Sequence, residues 1–299
     1  MALSALASIP YIHIPALGPV QPFGVLVAIG VLLGAHLLRK YAEWHGIHDD
    51  HIRGVTMWVI VSGFLGAHIF DVVAYQWDDL VADPVLLFKI WAGISSYGGF
   101  LGGAMGFALY VWWKRLPAFL YADTVMVGLL PAFTIGRIGC SIVGDHMGKA
   151  SDFFLAQTWP AAINKNGDPI SWVTRHNLGI YELLYLLPVC AIALGLAFRK
   201  SKRMPAGFVA VLIGAMYAPV RFFLDYLRPT TTDPRYFSLT FAQWSSILAF
   251  SASVYVAIKV LRSGKPAPIG EAAVARPDAA KVFKEALEPE KKAPTSAKK

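Results

Sequence analysis

The chain has 299 residues, 56% of them apolar and 15% charged, with a mean hydropathy of +0.51. Soluble domains carry about 25% charged residues, so this composition excludes an ordinary soluble globule, a disordered chain and a disulfide scaffold. Lys and Arg number 27 against 19 Asp and Glu, a net charge of +8. Nine of the basic and five of the acidic residues lie from Arg262 onward. Most of the remaining excess sits in short gaps between apolar runs, which reads as membrane topology plus a basic tail and not as a nucleic-acid surface.

A helix needs about 20 apolar residues to cross a bilayer. Seven spans are predicted, at about 21–38, 55–75, 92–113, 118–142, 180–198, 206–227 and 241–261. No Lys or Arg precedes Arg39, so the first run lacks the basic start of a cleavable signal and is expected to be retained. Basic residues follow spans one (Arg39, Lys40, Arg53), three (Lys114, Arg115), five (Arg199, Lys200, Lys202, Arg203) and seven (Arg262, Lys265). Asp78, Asp79 and Asp83 dominate the gap after span two. The positive-inside rule then puts the N-terminus outside and the C-terminus in the cytoplasm. The expected fold is an all-α integral membrane protein. It is a bundle of about seven transmembrane helices over 1–262, with an extracytoplasmic insertion at 144–179 between spans four and five. The remainder, 263–299, is rich in Ala, Pro, Lys and Glu and is expected to be a disordered basic tail. Cys140 and Cys190 lie in or beside apolar runs, which suggests neither a disulfide nor a zinc site.

Ionisable groups inside spans are costly and mark candidate sites. In span three, Gly98, Gly102 and Gly106 form a small-residue stripe suited to close helix packing, which places Tyr97 at the outer end of that helix. Span four ends in Gly136-Arg137-Ile138-Gly139-Cys140-Ser141-Ile142-Val143-Gly144-Asp145-His146-Met147-Gly148. One reading is a helix that breaks up to line a polar cavity. The other is an interfacial arginine that snorkels outward beside packing glycines. In span six, Arg221, Asp225 and Arg228 share a helix face at i, i+4 and i+7. They form either an internal ion pair or two guanidinium forks, held by one carboxylate, that aim at a phosphate. Tyr181 and Glu182 open span five, where Glu182 has a helix-dipole explanation or faces the cavity. His68 and Asp71 are expected to pair with each other or with an arginine. His45, His48, Asp49, Asp50 and His51 are metal-ligand types, read here as a solvated loop. No Walker loop, nucleophile elbow, zinc-protease motif or dinucleotide fingerprint occurs.

Together these segments resemble the prolipoprotein diacylglyceryl transferase family of bacterial inner-membrane enzymes. The 136–148 stretch is similar to its signature Gly-Arg-x-Gly-Asn-Phe-x-Asn-x-Glu-x-x-Gly. Ile94-Ser-Ser-Tyr-Gly-Gly-Phe is similar to Met-Ser-Phe-His-Gly-Gly, His176-Asn-Leu-Gly-Ile-Tyr181-Glu182 to His-Pro-x-x-Leu-Tyr-Glu, and Arg221-Phe-Phe-Leu-Asp225-Tyr-Leu-Arg228 to Arg-Phe-x-x-Glu-x-x-Arg. Departures are Cys140 for Asn, Val143 for the second Asn, Tyr97 for His, Phe23 for Tyr, and Asp145 and Asp225 for Glu. The resemblance implies transfer of the diacylglyceryl group of phosphatidylglycerol to the lipobox cysteine of a prolipoprotein, within the bilayer and without metal or organic cofactor. It implies catalytic roles for Arg137, Arg221, His146, Asp145 and Tyr97. Arg137, Arg221, Asp225, Arg228, Glu182 and Tyr181 would bind substrate. His146, oriented by Asp145, is the candidate base because an unperturbed imidazole titrates near pH 6.5. Two other readings are a non-catalytic lipid-binding or transport protein and a paralogue with a different thiol acceptor.

Overall fold

The computed structural model describes residues 12–14, 18–20, 22–89, 93, 95–144, 146–163, 169–199, 203–230, 235–263 and 267. A short antiparallel pair, β1 (Ile12–Ile14) and β2 (Gly18–Val20), precedes helix α1 (Pro22–His45). There follow α2 (Asp49–Tyr75), α3 (Trp77–Ala82), a 3-10 turn at Pro84–Phe88, α4 (Ser96–Trp113) and α5 (Ala118–Val143). Three antiparallel strands come next, β3 (Met147–Ala150), β4 (Gln157–Ile163) and β5 (Pro169–Asn177), with β5 in the centre. The chain closes with α6 (Leu178–Ala197), α7 (Phe208–Leu224), the hairpin β6 (Arg235–Tyr236) and β7 (Leu239–Thr240), and α8 (Phe241–Ser263).

The protein is a mostly helical integral membrane protein. Six helices, α1, α2, α5, α6, α7 and α8, are long and apolar enough to cross a membrane. Helix α4, 18 residues long with five glycines, two tyrosines and two tryptophans, is not among these six. Apolar side chains such as Leu32, Met57, Ile60, Leu248 and Leu261 lie exposed on the outer faces, as a hydrocarbon solvent requires and water does not. The tail beyond Ser263 lies outside the described residues except Ala267. That residue is buried, its N–H donating to Met204 O at 3.0 Å and its carbonyl accepting from Arg203 Nη1 at 3.0 Å. At this point the tail is docked on the link between α6 and α7.

Glycines decide which helices pair. A Cβ on Gly66 of α2 would lie 2.6 Å from the Gly98 carbonyl of α4, and one on Gly128 of α5 would lie 2.6 Å from the Gly34 carbonyl of α1. Only glycine lets those backbones meet. Helix α7 is anchored differently. The buried Asp123 of α5 accepts from Gly207 N at 2.7 Å and Ala210 N at 2.8 Å. It thereby caps, from a neighbouring helix, donors that a helix start leaves unpaired.

Several expectations are corrected. Helix α5 stays helical through Val143 and stops where Gly144 adopts φ 69°, so the Gly136–Val143 stretch is not a broken helix. Of the glycines there, Gly139 serves packing, since a Cβ on it would sit 2.8 Å from the Phe23 ring, whereas one on Gly136 would meet nothing within 4 Å. His45 is no loop residue. It ends α1, buried, with Nδ1 3.0 Å from Tyr41 O, while Asp49, Asp50 and His51 open α2. His68 faces the carbonyls of Gly93, Leu86 and Leu87 at 3.2–3.3 Å. Asp71 accepts from Gln76 at 2.6 Å, so these contacts take the place of the expected His68–Asp71 pair.

Candidate active site

The arginine of α5 does not snorkel. Arg137 is 7% exposed. Its Nε lies 2.6 Å from Glu182 Oε2, and its guanidinium carbon lies 4.5 Å from the centre of the Phe133 ring, one turn earlier. Glu182 reaches this position because α6 begins at a firm stop. Asn177 accepts from Ile180 N at 3.3 Å as the N-cap, and its amide donates to Ser141 O at 2.9 Å and Gln157 Oε1 at 2.7 Å. One buried side chain thus ties the end of α5, strand β4 and the start of α6 together. Glu182 lies just beyond that cap, 3% exposed.

The same carboxylate meets a second cation. Arg221 Nη1 on α7 lies 3.5 Å from Glu182 Oε1. Arg221 Nη2 lies 3.4 Å from Asp225 Oδ1 and donates to the Tyr97 hydroxyl at 3.1 Å. Arg228 Nε lies 3.6 Å from the same Asp225 oxygen. Helix α7 ends at Leu224 and Asp225–Leu227 form a 3-10 turn, after which Arg228 is extended. The expected single helix face is therefore a helix end. The tighter turn still brings both arginines onto one carboxylate. Tyr217, also on α7, lies within electrostatic reach of Glu182, Arg137 and Arg221.

The predicted Arg137, Arg221, Asp225, Arg228, Glu182, Tyr97 and His146 all fall in this one cluster. Arg228 Nη2 lies 3.1 Å from His146 Nδ1. A guanidinium only donates, so Nδ1 accepts and the neutral ring carries its proton on Nε2. Burial first, and then Arg137, Arg228 and Arg221, push the His146 pKa down to about 3. The imidazole titrates far below the value expected of it, and its basic lone pair is occupied. Asp145 lies outside the described residues. Tyr181 stands apart from the arginines, its hydroxyl 2.8 Å from His176 Nδ1 and its ring edge-on to Phe153. Cys140 Sγ accepts from Arg137 Nη1 at 3.6 Å. Among the described residues no cluster of three or more His, Cys, Asp or Glu side chains is placed to hold a metal.

Sequence reasoning passed over Thr240, Gln243 and Asn177. Thr240 and Gln243 carried a readable signal, a Thr-x-x-Gln pair just before an apolar run, which is a capping-box spacing. Nothing local marks Asn177 as a three-way tie.

Three guanidinium groups and two carboxylates gathered among apolar helices define an integral membrane protein with a buried, internally paired charge cluster. The profile of one family, prolipoprotein diacylglyceryl transferase, matches residues 11–259. The chain belongs to that family, and is a transferase. It is similar to the phosphatidylglycerol–prolipoprotein diacylglyceryl transferase 2 of Clostridium perfringens, with 26% identity over 247 residues, 82% of this chain and 88% of that protein. Relatives named phosphatidylglycerol–prolipoprotein diacylglyceryl transferase include those of Staphylococcus haemolyticus (29% identity over 218 residues, 71% of this chain and 75% of the relative) and Lactobacillus delbrueckii subsp. bulgaricus (29% over 239 residues, 79% and 82%).

Proposed function

We propose that this protein transfers the diacylglyceryl group of phosphatidylglycerol to the lipobox cysteine thiol of prolipoproteins and releases glycerol phosphate. The observation that carries this reading is the convergence of Arg137 and Arg221, from two helices, on the single carboxylate of Glu182. A guanidinium has five N–H donors. Arg137 Nε lies in ion-pair contact with Glu182 and Nη1 donates to Cys140; Nη2 is the donor assigned to a phosphate oxygen. Glu182 makes the pair of cations tolerable before lipid arrives, and the phosphate then binds to the remaining donors as a charge-assisted fork.

In the transfer, the cysteine sulfur attacks the glycerol carbon that bears the phosphate ester, the two acyl chains sitting on the other two carbons of that glycerol. The S–C bond forms as the bond between that carbon and the phosphate ester oxygen breaks. The electron pair leaves with the phosphate, which ends as glycerol phosphate with the thiol proton accounted for on the leaving group or solvent. Preplaced cations stabilise the charge growing on that oxygen. Arg137 and Arg221 hold the phosphate, Asp225 orients Arg221 and Arg228, and Tyr97 keeps its hydroxyl proton for the lipid headgroup while accepting from Arg221. His146 is assigned to orienting Arg228 rather than to taking the thiol proton, since its free lone pair is spent there. The three-stranded insertion, which carries His176 and Phe153 and meets Tyr181 at the start of α6, roofs the site and receives the peptide.

The placement proposed is a bacterial inner membrane with seven spans, α4 being the seventh. The N-terminus and the 144–179 insertion lie outside and the C-terminus lies in the cytoplasm. No nucleic acid and no cofactor take part. The test uses phosphatidylglycerol in mixed micelles and a lipobox peptide, with the product identified by mass on its cysteine. Arg137→Lys and Arg221→Lys keep the charge but lose the planar fork and are expected to lower turnover at least about a hundredfold in protein that still inserts. Full activity in both variants removes the phosphate-clamp reading.

A further inference from the structure

Thr240 belongs to none of the motifs that mark the site, yet its side chain ends in it. It is 3% exposed, and its neighbours Asp225 and Gln243 are 0% and 1% exposed, so water cannot stand in for a lost hydroxyl there. Two sets of bonds meet on this residue. Thr240 N donates to Gln243 Oε1 at 3.1 Å and Gln243 N donates to Thr240 Oγ1 at 3.2 Å, which is a reciprocal capping box at the start of α8. The hydroxyl also bonds Asp225 Oδ2. A hydroxyl has one proton. Because Oγ1 accepts from the Gln243 N–H, its own proton goes to the carboxylate.

The bonding divides the two oxygens of Asp225. Oδ2 is held by Thr240, and Oδ1 is turned to Arg221 and Arg228 together. Thr240 itself is fixed from two further sides. The ladder pairs it with Arg235, and Trp244 Nε1 donates to Tyr236 O at 2.9 Å, binding the hairpin to α8. The hairpin can be this short because Phe237 and Ser238 both take positive φ, 51° and 66°, the backbone sense that suits a two-residue turn between twisted strands.

We propose that Thr240 is a positioning residue of the transfer reaction. Its hydroxyl sets the rotation of the Asp225 carboxylate, so that one oxygen serves two arginines, and the start of α8 doubles as the support of the cation cluster. This rests on the phosphate-clamp reading above.

The experiment is a double-mutant cycle in full-length protein, read as kcat and KM for phosphatidylglycerol with a fixed lipobox peptide, alongside thermal stability in detergent. Thr240→Val deletes the hydroxyl at nearly constant shape. Thr240→Ser keeps it. Gln243→Leu removes the return arm of the capping box and leaves the bond to Asp225. Thr240→Val is expected to lower kcat at least about tenfold. Thr240→Ser and Gln243→Leu should stay within about threefold of the unmodified protein. In an Asp225→Asn background, Thr240→Val should cost little more, because a residue acting through Asp225 has nothing left to position. The proposal is overturned if Thr240→Val keeps kcat within about twofold. It is equally overturned if Gln243→Leu falls as far, or if the two losses multiply independently. Should Thr240→Val fail to fold, Thr240→Gly replaces it in the same cycle under the same criteria, since glycine is tolerated at a helix N-cap and carries no side-chain donor. Arg221→Lys is measured alongside. Its full activity would sink the clamp reading, whereas its loss beside an unaffected Thr240→Val would sink only the role of Thr240.

Discussion

Replacing Glu182 with Gln removes one charge and almost no volume, at the point where two buried cations meet. The distances of 2.6 Å to Arg137 and 3.5 Å to Arg221 correspond to gross attractions of about 6 and about 5 kcal/mol at an effective dielectric of about 20. Desolvation offsets much of this, and breaking one partner from a buried pair costs about 3–5 kcal/mol net. With about 2–4 °C per kcal/mol for a chain of this general size, Glu182→Gln is expected to lower the melting temperature by roughly 10 °C in a neutral detergent. The sign of the lipid effect then separates structure from function. If a phosphate docks between these arginines, phosphatidylglycerol should stabilise Glu182→Gln more than it stabilises the unmodified protein, because the added anion replaces the missing carboxylate. Phosphatidylcholine, with no net charge, should not. The assay is thermal unfolding in detergent at increasing mole fractions of each lipid. A variant that melts within about 2 °C of the unmodified protein, or one that gains no more from the anionic lipid, refutes the reasoning.

Other expectations follow from the same geometry. His146 is held at about 3 when folded, below the roughly 6.5 of an unfolded chain, so the unfolded state takes the proton first as pH falls. Its share of stability is complete above about pH 6.5 and is lost between there and pH 3, amounting to about 2 kcal/mol at pH 5. His146→Gln should therefore melt with a shallower decline between pH 7 and pH 5, and parallel curves would contradict the assignment. Asp123→Leu leaves the Gly207 and Ala210 N–H groups without their acceptor and should cost about 2 kcal/mol or more, lowering the melting temperature while KM for phosphatidylglycerol holds steady. Gly98→Val drives a side chain into the Gly66 carbonyl and should separate α4 from α2, carrying Tyr97 away from Arg221. Loss of activity together with poor membrane accumulation is the expected result, and normal turnover would show that this contact is dispensable.

Much of the protein is legible before any coordinates. A bilayer has one dominant rule, that backbone donors and acceptors be satisfied within each span, and it makes long apolar runs readable as helices. The predicted bounds of 118–142 and 241–261 differ from α5 and α8 by only a few residues. The suspicion attached to Arg137, Arg221, Asp225 and Arg228 was equally local, since charge inside an apolar run is costly wherever it occurs. Partnership was not local. That Glu182 bridges Arg137 and Arg221, that Asp123 caps a helix far along the chain, and that His146 lends its lone pair to Arg228 all depend on which helices lie side by side. That choice is made by backbone contacts at Gly34, Gly66, Gly98 and Gly128. The broken-helix reading of 136–148 fails over 136–143 for a related reason: glycine lowers helix propensity in isolation, but the helix runs to Val143, and at Gly139 the missing side chain makes room for the Phe23 ring. Composition and periodicity thus decided that there is a membrane bundle with charges inside it. Only the packing decided which charge answers which, because electrostatic energy falls with distance through space and takes no account of distance along the chain.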